Sequence, residues 1–186
     1  MLKAGKDPRE VLKEISDIFP FHASVSAEVV GDSVEEMLEM ADDYIEIGPN
    51  ITIKVPLTPE GLKVCKDLST DDVAVNVTLC FSTAQAILAA KAGATYVSPF
   101  VGRVNDQSFD GIKLIEEISD VYATHKQKTQ VLAASIRDVH QVASCFRVGA
   151  DICTIPSKIF SGMYKHILTD QGIAKFDEDW TKLVGG

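Results

Sequence analysis

A lysine in the middle of an apolar run is the first residue that asks for a chemical reason. Lys54 sits in Ile-Thr-Ile-Lys-Val-Pro (51–56), and a buried ammonium is costly unless it is paired or neutral. Two readings stand side by side. Either the position is at a sheet edge with its head in solvent, or the amine is desolvated, partly unprotonated near neutral pH, and able to attack a carbonyl to form a Schiff base. Glu28, in Ser-Ala-Glu-Val-Val (26–30), is the second anomaly. Alone it serves equally well as a structural ion-pair partner. Beside Lys54 it becomes a carboxylate that can shuttle protons, directly or through a water.

Other polar residues repeat this placement. Asn76 and Thr78 interrupt Val-Ala-Val-Asn-Val-Thr-Leu (73–79), Ser98 interrupts Tyr-Val-Ser-Pro-Phe (96–100), and Ser135 ends Val-Leu-Ala-Ala-Ser (131–135). Alternation of period two puts Asn76 with Thr78 on one face, and Ser98 with Phe100 on one face. Arg103 and Arg137 follow two of these runs. An arginine just past a strand end suits a phosphate through its fork of donors, though a solvated surface arginine is the plain alternative. Ser135 and Arg137 also precede a helix whose first amides can add to anion binding. His22, His125, His140 and His166 show no ligand spacing, and no metal is expected. GxGxxG, GxxxxGK[ST] and GxSxG are absent. The Gly-Ala-Asp run at 149–151 reads as a turn.

The elements that must hold these residues are legible. Apolar runs at 23–30, 51–55, 73–81, 95–101, 131–136 and 152–155 are β-branched or small, apolar nearly throughout, and begin 21 to 36 residues apart. Such runs are strands buried on both faces, in a parallel sheet under helices. Capping signals open the segments between them: Asp7-Pro8-Arg9-Glu10, Ser33-Val34-Glu35-Glu36, Thr58-Pro59-Glu60 and Ser82-Thr83-Ala84-Gln85. Gly93 and Gly149 suit helix C-termini. Ile112, Ile115 and Ile118 mark a helix over 110–124, and further helices are expected near 138–148, 157–167 and 171–182. The order is one helix, then strand–helix six times. Six parallel strands fit an open doubly wound sheet or most of an eight-stranded barrel.

Composition narrows the partners. The 186 residues are 46% hydrophobic with a net charge of −9, which excludes disorder and fits a single domain over 1–186. The acidic balance lacks the basic footprint of a nucleic-acid binder. No apolar stretch approaches the roughly 18 residues that span a membrane, and the polar N-terminus, Met1 to Glu10, has no apolar signal core. Cys65, Cys80, Cys145 and Cys153 show no metal spacing, which fits a reducing cytoplasm. The Asn-x-Thr matches at Asn50 and Asn76 are chance matches on that reading.

Several segments resemble a known family: Ile-Lys-Val-Pro-Leu-Thr-Pro-Glu-Gly-Leu (53–62), Asn-Val-Thr-Leu (76–79), Ala-Gly-Ala-Thr-Tyr-Val-Ser-Pro-Phe-Val-Gly-Arg (92–103), Ala-Ala-Ser-Ile-Arg (133–137) and Leu-Thr-Asp-Gln-Gly-Ile-Ala-Lys-Phe-Asp-Glu-Asp-Trp (168–180). They are similar to the small transaldolases, a family that includes the fructose-6-phosphate aldolases. The resemblance implies an α/β fold of the (β/α)8 TIM-barrel type and class I aldol transfer with no cofactor. It matches Lys54 to the Schiff-base lysine and Glu28 to the glutamate that, with Thr78, holds the catalytic water. Asn76 matches the strand asparagine near the imine. Ser98 and Phe100 match pocket-lining residues, and Arg103, Ser135 and Arg137 the phosphate-binding set. The aldolase branch usually has glutamine and tyrosine at the positions of Glu28 and Phe100, so the resemblance favours transaldolase. It implies fructose 6-phosphate, sedoheptulose 7-phosphate, erythrose 4-phosphate and glyceraldehyde 3-phosphate as substrates. It further implies a homo-oligomer, a pentamer or decamer, whose C-terminal helix reaches a neighbour. The first strand, with its acid/base aspartate, the first helix and the second strand of the family have no counterpart here. A catalytically impaired, truncated relative is therefore carried as an alternative, and so is a fructose-6-phosphate aldolase, which would release free dihydroxyacetone.

Overall fold

The computed structural model of the chain describes residues 7–19 and 23–185. His22 and the first six residues of the polar N-terminus lie outside the described residues. Six strands form one sheet: β1 Val25–Glu28, β2 Ile51–Pro56, β3 Val75–Cys80, β4 Tyr96–Pro99, β5 Gln130–Ala133 and β6 Ile152–Cys153. Every neighbouring pair is parallel, and the spatial order is the chain order, β1 to β6. A doubly wound sheet reverses strand order at a switch point, and no reversal occurs here. The sheet is a curled parallel half-barrel, with α1, α2, α3, α4, α6 and α7 packed against it among the helices of the chain. Those helices are α1 Pro8–Ile18, α2 Val34–Ile45, α3 Pro59–Thr70, α4 Thr83–Lys91, α5 Val101–Asn105, α6 Gly111–Thr124, α7 Val139–Arg147, α8 Ser157–Gly162 and α9 Ile167–Val184.

Side-chain alternation gives the sheet two unlike faces. Ala27, Ile53, Val55, Val75, Val77, Val97, Val131 and Ala133 are buried and pack under the helices. Parallel pairing puts registered residues on the same face. Glu28 pairs with Lys54 and Lys54 with Asn76, so the opposite face carries Ser26, Glu28, Thr52, Lys54, Asn76, Thr78 and Ser98. The core lies between sheet and helices; the polar residues collect on the face away from it.

The helix starts form for local reasons. Ser33 Oγ accepts the Glu36 amide at 3.1 Å, Thr58 Oγ1 the Gly61 amide at 3.0 Å, and Ser82 Oγ the Gln85 amide at 3.2 Å. The reciprocal arms differ from a simple capping box. Glu36 and Gln85 reach one residue further back, accepting from Asp32 N and Phe81 N. At α1 the Asp7 side chain accepts from Arg9 N at 2.9 Å.

Three departures from the sequence pattern have physical reasons. The short helix α5 follows β4, unmarked by any side-chain cap. Near the C-terminus the helix break falls at 163–166, and α9 then runs uninterrupted to Val184 with the His166 ring capping Leu168 N. Helices near 157–167 and 171–182 are expected from the sequence, so the break falls earlier than expected, and Gly172 lies within α9. Third, the β3–β4 register shifts between Val77 and Cys80, with Leu79 at φ 59°. Such an irregularity, like a β-bulge, re-aims a strand end, and it falls one residue past Thr78.

Candidate active site

Lys54 lies on β2, which pairs on both sides, so the edge-strand reading does not hold. Its side chain is 23% exposed, and its Nζ donates to Glu28 Oε2 at 2.9 Å. The apolar residues on either side, Ile53 and Val55, are fully buried on the helix face. Alternation therefore turns Lys54 the other way, toward the face where its carboxylate partner waits in register on β1.

Asn76 lies on the far side of Lys54. It is 2% exposed. Its Oδ1 accepts from Ser98 Oγ at 2.7 Å and its Nδ2 donates to Ser26 Oγ at 3.3 Å. The amide is thereby locked between β1 and β4, with its orientation set by two different strands. Thr78 lies one step along the same face. Its Oγ1 is buried and has no hydrogen-bond partner among the described residues. Leaving a buried hydroxyl unpartnered costs about 1–3 kcal/mol, so this atom is poised for a ligand or a solvent molecule. Below the cluster, Ser24 and Thr52 hydroxyls share a 2.6 Å hydrogen bond.

The loops after β4 and β5 are joined. Val101 N donates to Ala134 O at 3.0 Å and Gly102 N to Ser135 O at 3.1 Å. Phe100 and Ala134 form a parallel bridge. Gly102 is needed for this approach: a Cβ there would lie 2.3 Å from Ser135 O and 2.7 Å from Arg137 Nε. Ser135 holds a left-handed conformation, φ 60°, a costly backbone state for a residue with a Cβ.

The two arginines are held differently. The Arg103 guanidinium lies over Phe100 at 4.7 Å and over Phe81 at 5.9 Å from the ring centroids, within cation–π range. Those rings meet edge to face at 5.6 Å. Arg137 forms a two-pronged ion pair with Asp106, at 3.0 and 2.5 Å. Its backbone N–H donates to Gln141 Oε1, while Asp138 Oδ1 accepts from Gln141 N at 2.8 Å. That capping arrangement at the start of α7 fixes the segment that carries Arg137.

The sequence-predicted residues fall into two joined groups. Glu28, Lys54, Asn76, Thr78 and Ser98 form a contiguous polar surface across β1 to β4. Phe100 and, in α5, Arg103 lie beyond the C-terminal end of β4, and Ser135 and Arg137 lie on the loop beyond β5 that is zipped to them. Sequence reasoning missed Ser26, Phe81, Gln141 and Asp106. The Asp138-x-x-Gln141 spacing would have signalled the cap. His125, His140 and His166 are exposed and stand at helix ends, apart from this cluster. The 149–151 segment is a turn: Gly149 has φ +99° and Asp151 Oδ2 accepts from Val131 N at 2.7 Å.

The chain is similar to known proteins over almost its whole length. The family model described as transaldolase/fructose-6-phosphate aldolase matches residues 8–186. A probable transaldolase of Paracoccus denitrificans is 50% identical over 182 residues, covering 98% of this chain and 83% of that protein. One from Novosphingobium aromaticivorans is 51% identical over 180 residues, covering 97% and 82%. One from Caulobacter vibrioides is 46% identical over 178 residues, covering 96% and 81%. A parallel sheet wound in chain order, a strand lysine paired to a strand carboxylate, and this extent of similarity place the chain in the transaldolase/fructose-6-phosphate aldolase family.

Proposed function

We propose that the chain is a transaldolase that passes a dihydroxyacetone unit between sugar phosphates through a Schiff base on Lys54. The observation that carries the mechanism is the 2.9 Å hydrogen bond from Lys54 Nζ to Glu28 Oε2. Through that contact the carboxylate can take the ammonium proton and release a neutral amine. The amine adds to the ketone carbon of a ketose phosphate and water leaves, giving the imine. Glu28, acting through a water, takes the C4 hydroxyl proton as the C3–C4 bond breaks; the electron pair passes into the protonated imine to give an enamine, and the aldose phosphate departs. The enamine attacks the aldehyde of an acceptor, whose oxygen takes the proton back from Glu28, and water, positioned by Glu28 and the unpartnered Thr78 hydroxyl, hydrolyses the new imine and frees the Lys54 amine.

Asn76, oriented by Ser98 and Ser26, faces the imine in this reading, and Ser98 and Phe100 line the pocket. Arg103, Ser135 and Arg137 receive the substrate phosphate. Fructose 6-phosphate and sedoheptulose 7-phosphate serve as donors, erythrose 4-phosphate and glyceraldehyde 3-phosphate as acceptors. Glu28 and Phe100, where the aldolase branch has glutamine and tyrosine, favour transfer over release of free dihydroxyacetone.

The six strands correspond, on this proposal, to six of the eight of a (β/α)8 barrel, within one domain. A homo-oligomer is part of the reading. It is supported by α9, on which Ile167, Leu168, Phe176, Trp180 and Leu183 are all exposed. No helix among the described residues is long and apolar enough to cross a membrane. The four free thiols support a reducing compartment such as the cytoplasm.

Borohydride reduction in the presence of fructose 6-phosphate tests the proposal. A reduced adduct is expected on the peptide carrying Lys54 and is absent from Lys54→Met. Fructose 6-phosphate consumption should require an aldose phosphate acceptor. A folded wild-type protein that gives no adduct overturns the reading, and acceptor-independent release of dihydroxyacetone converts it to an aldolase.

A further inference from the structure

We infer that Asp106 is a positioning residue for the phosphate site: it fixes the plane of the Arg137 guanidinium before substrate arrives. The inference rests on the reading in which Arg137 receives the phosphate.

Arg137 is anchored at both ends. Its backbone N–H is bound by Gln141 Oε1 at 3.0 Å. At the far end its two terminal nitrogens donate to the two oxygens of Asp106. Midway, its Nε is packed against Gly102, whose absent side chain leaves the space. The end-on pair with Asp106 uses two of the five guanidinium donors. The remaining N–H bonds are held in one plane, whose direction Asp106 and Gly102 set together.

Asp106 is itself fixed. It caps α5, and its N–H donates to Gly102 O at 3.0 Å. The preceding Asn105 Oδ1 accepts from Gly111 N at 2.8 Å, pinning the segment to the start of α6. The carboxylate thus reports the position of the C-terminal end of α5 to an arginine on the β5–α7 loop. Both groups are about half exposed, 52% and 47%. Solvent at that exposure makes the pair a weak source of stability, which leaves orientation as its main effect.

A carboxylate beside an anion site acts in two opposing directions. It repels the incoming phosphate, and it pre-orders a long side chain that would otherwise lose its rotamer freedom on binding. Repulsion between half-exposed groups is screened by water and salt, whereas the ordering is realised in full with every phosphate contact. The second effect therefore dominates.

The test compares wild type with Asp106→Ala, Asp106→Asn and Asp106→Glu, each checked for native circular dichroism. Inorganic phosphate is the probe, followed by phosphorus NMR titration and as an inhibitor of fructose 6-phosphate turnover. Asp106→Ala and Asp106→Asn are expected to weaken phosphate binding and raise KM for fructose 6-phosphate by the same factor, about 3- to 10-fold. The kcat and the KM for unphosphorylated fructose should stay near wild type, and Asp106→Glu should recover part of the loss. Unchanged or tighter phosphate binding in the alanine variant overturns the inference. So does an equal loss toward fructose, which would mark a merely structural role. Phosphate binding that responds to Asp106 in a protein that forms no Lys54 adduct would sustain the inference and sink only the transaldolase reading.

Discussion

Replacing Gly102 by alanine tests whether the two loops must touch for the site to work. The added Cβ would sit 2.3 Å from Ser135 O, where ordinary contact begins at 3.4 Å, so the loops must part by about 1.1 Å. The obstacle is backbone and cannot rotate away. The Arg137 side chain blocks the other exit, with Cγ and Nε each 2.7 Å from the new atom. Overpacking of this kind costs about 1–3 kcal/mol. At about 2–4 °C per kcal/mol for a chain of this size, the melting temperature falls by about 2–12 °C. Activity should suffer more. A 1 Å displacement of a positioning group costs about 10²-fold, so kcat/KM for fructose 6-phosphate drops by about that factor. Thermal unfolding and initial-rate kinetics on Gly102→Ala measure both. Gly172→Ala is the control, since its Cβ meets nothing within 4 Å. If Gly102→Ala keeps kcat/KM within about twofold of wild type, the zipped loops are not what holds the site.

Two further outcomes follow from the same geometry. Glu28→Gln should leave stability within about 1 kcal/mol of wild type in a urea titration, because the Lys54 pair is partly solvated. The transfer rate should fall about 10²- to 10⁴-fold, and a large stability loss instead would mark the pair as structural. Burial pushes the Cys65 and Cys80 thiols up to about 12, from an ordinary value of 9.0. Their contribution to stability is present in full below about pH 9 and is lost as pH rises from there toward 12, because the unfolded chain sheds these protons first. Denaturant midpoints measured across that window should fall; a flat profile refutes the assignment.

Much of this was readable from sequence because the signals were local. Each parallel strand is apolar on both faces, so a polar residue inside a run stands out, and Lys54, Glu28, Asn76, Thr78 and Ser98 were visible for that reason. The N-caps at Ser33, Thr58 and Ser82 depend on side chains three residues apart, which a sequence displays directly. What escaped notice depends on pairing across long separations. Asp106 lies in Asn-Asp-Gln-Ser, a polar stretch like any surface turn. Only the meeting of two loops 31 residues apart makes it Arg137's partner. Ser26 acquires meaning through Asn76 on a strand 50 residues later. The short helix α5 lacks both a side-chain cap and an amphipathic repeat. The course of α9 runs straight through Gly172 although glycine is a poor helix former, so that residue type does not mark where α8 gives way to α9.

The two-faced sheet also separates what selection can change. Along β2, Ile53 and Val55 hold the helices while Lys54, between them, faces the opposite way; on β3, Val75 and Val77 do the same around Asn76. Because neighbours in sequence face different surroundings, substitutions at Glu28, Asn76 or Ser98 leave the packing of the helices untouched. A strand of this kind carries two nearly independent sets of choices, one for remaining folded and one for the reaction. A family whose description joins a transferase with an aldolase fits such a scaffold: the reaction can be retuned on one face without renegotiating the other.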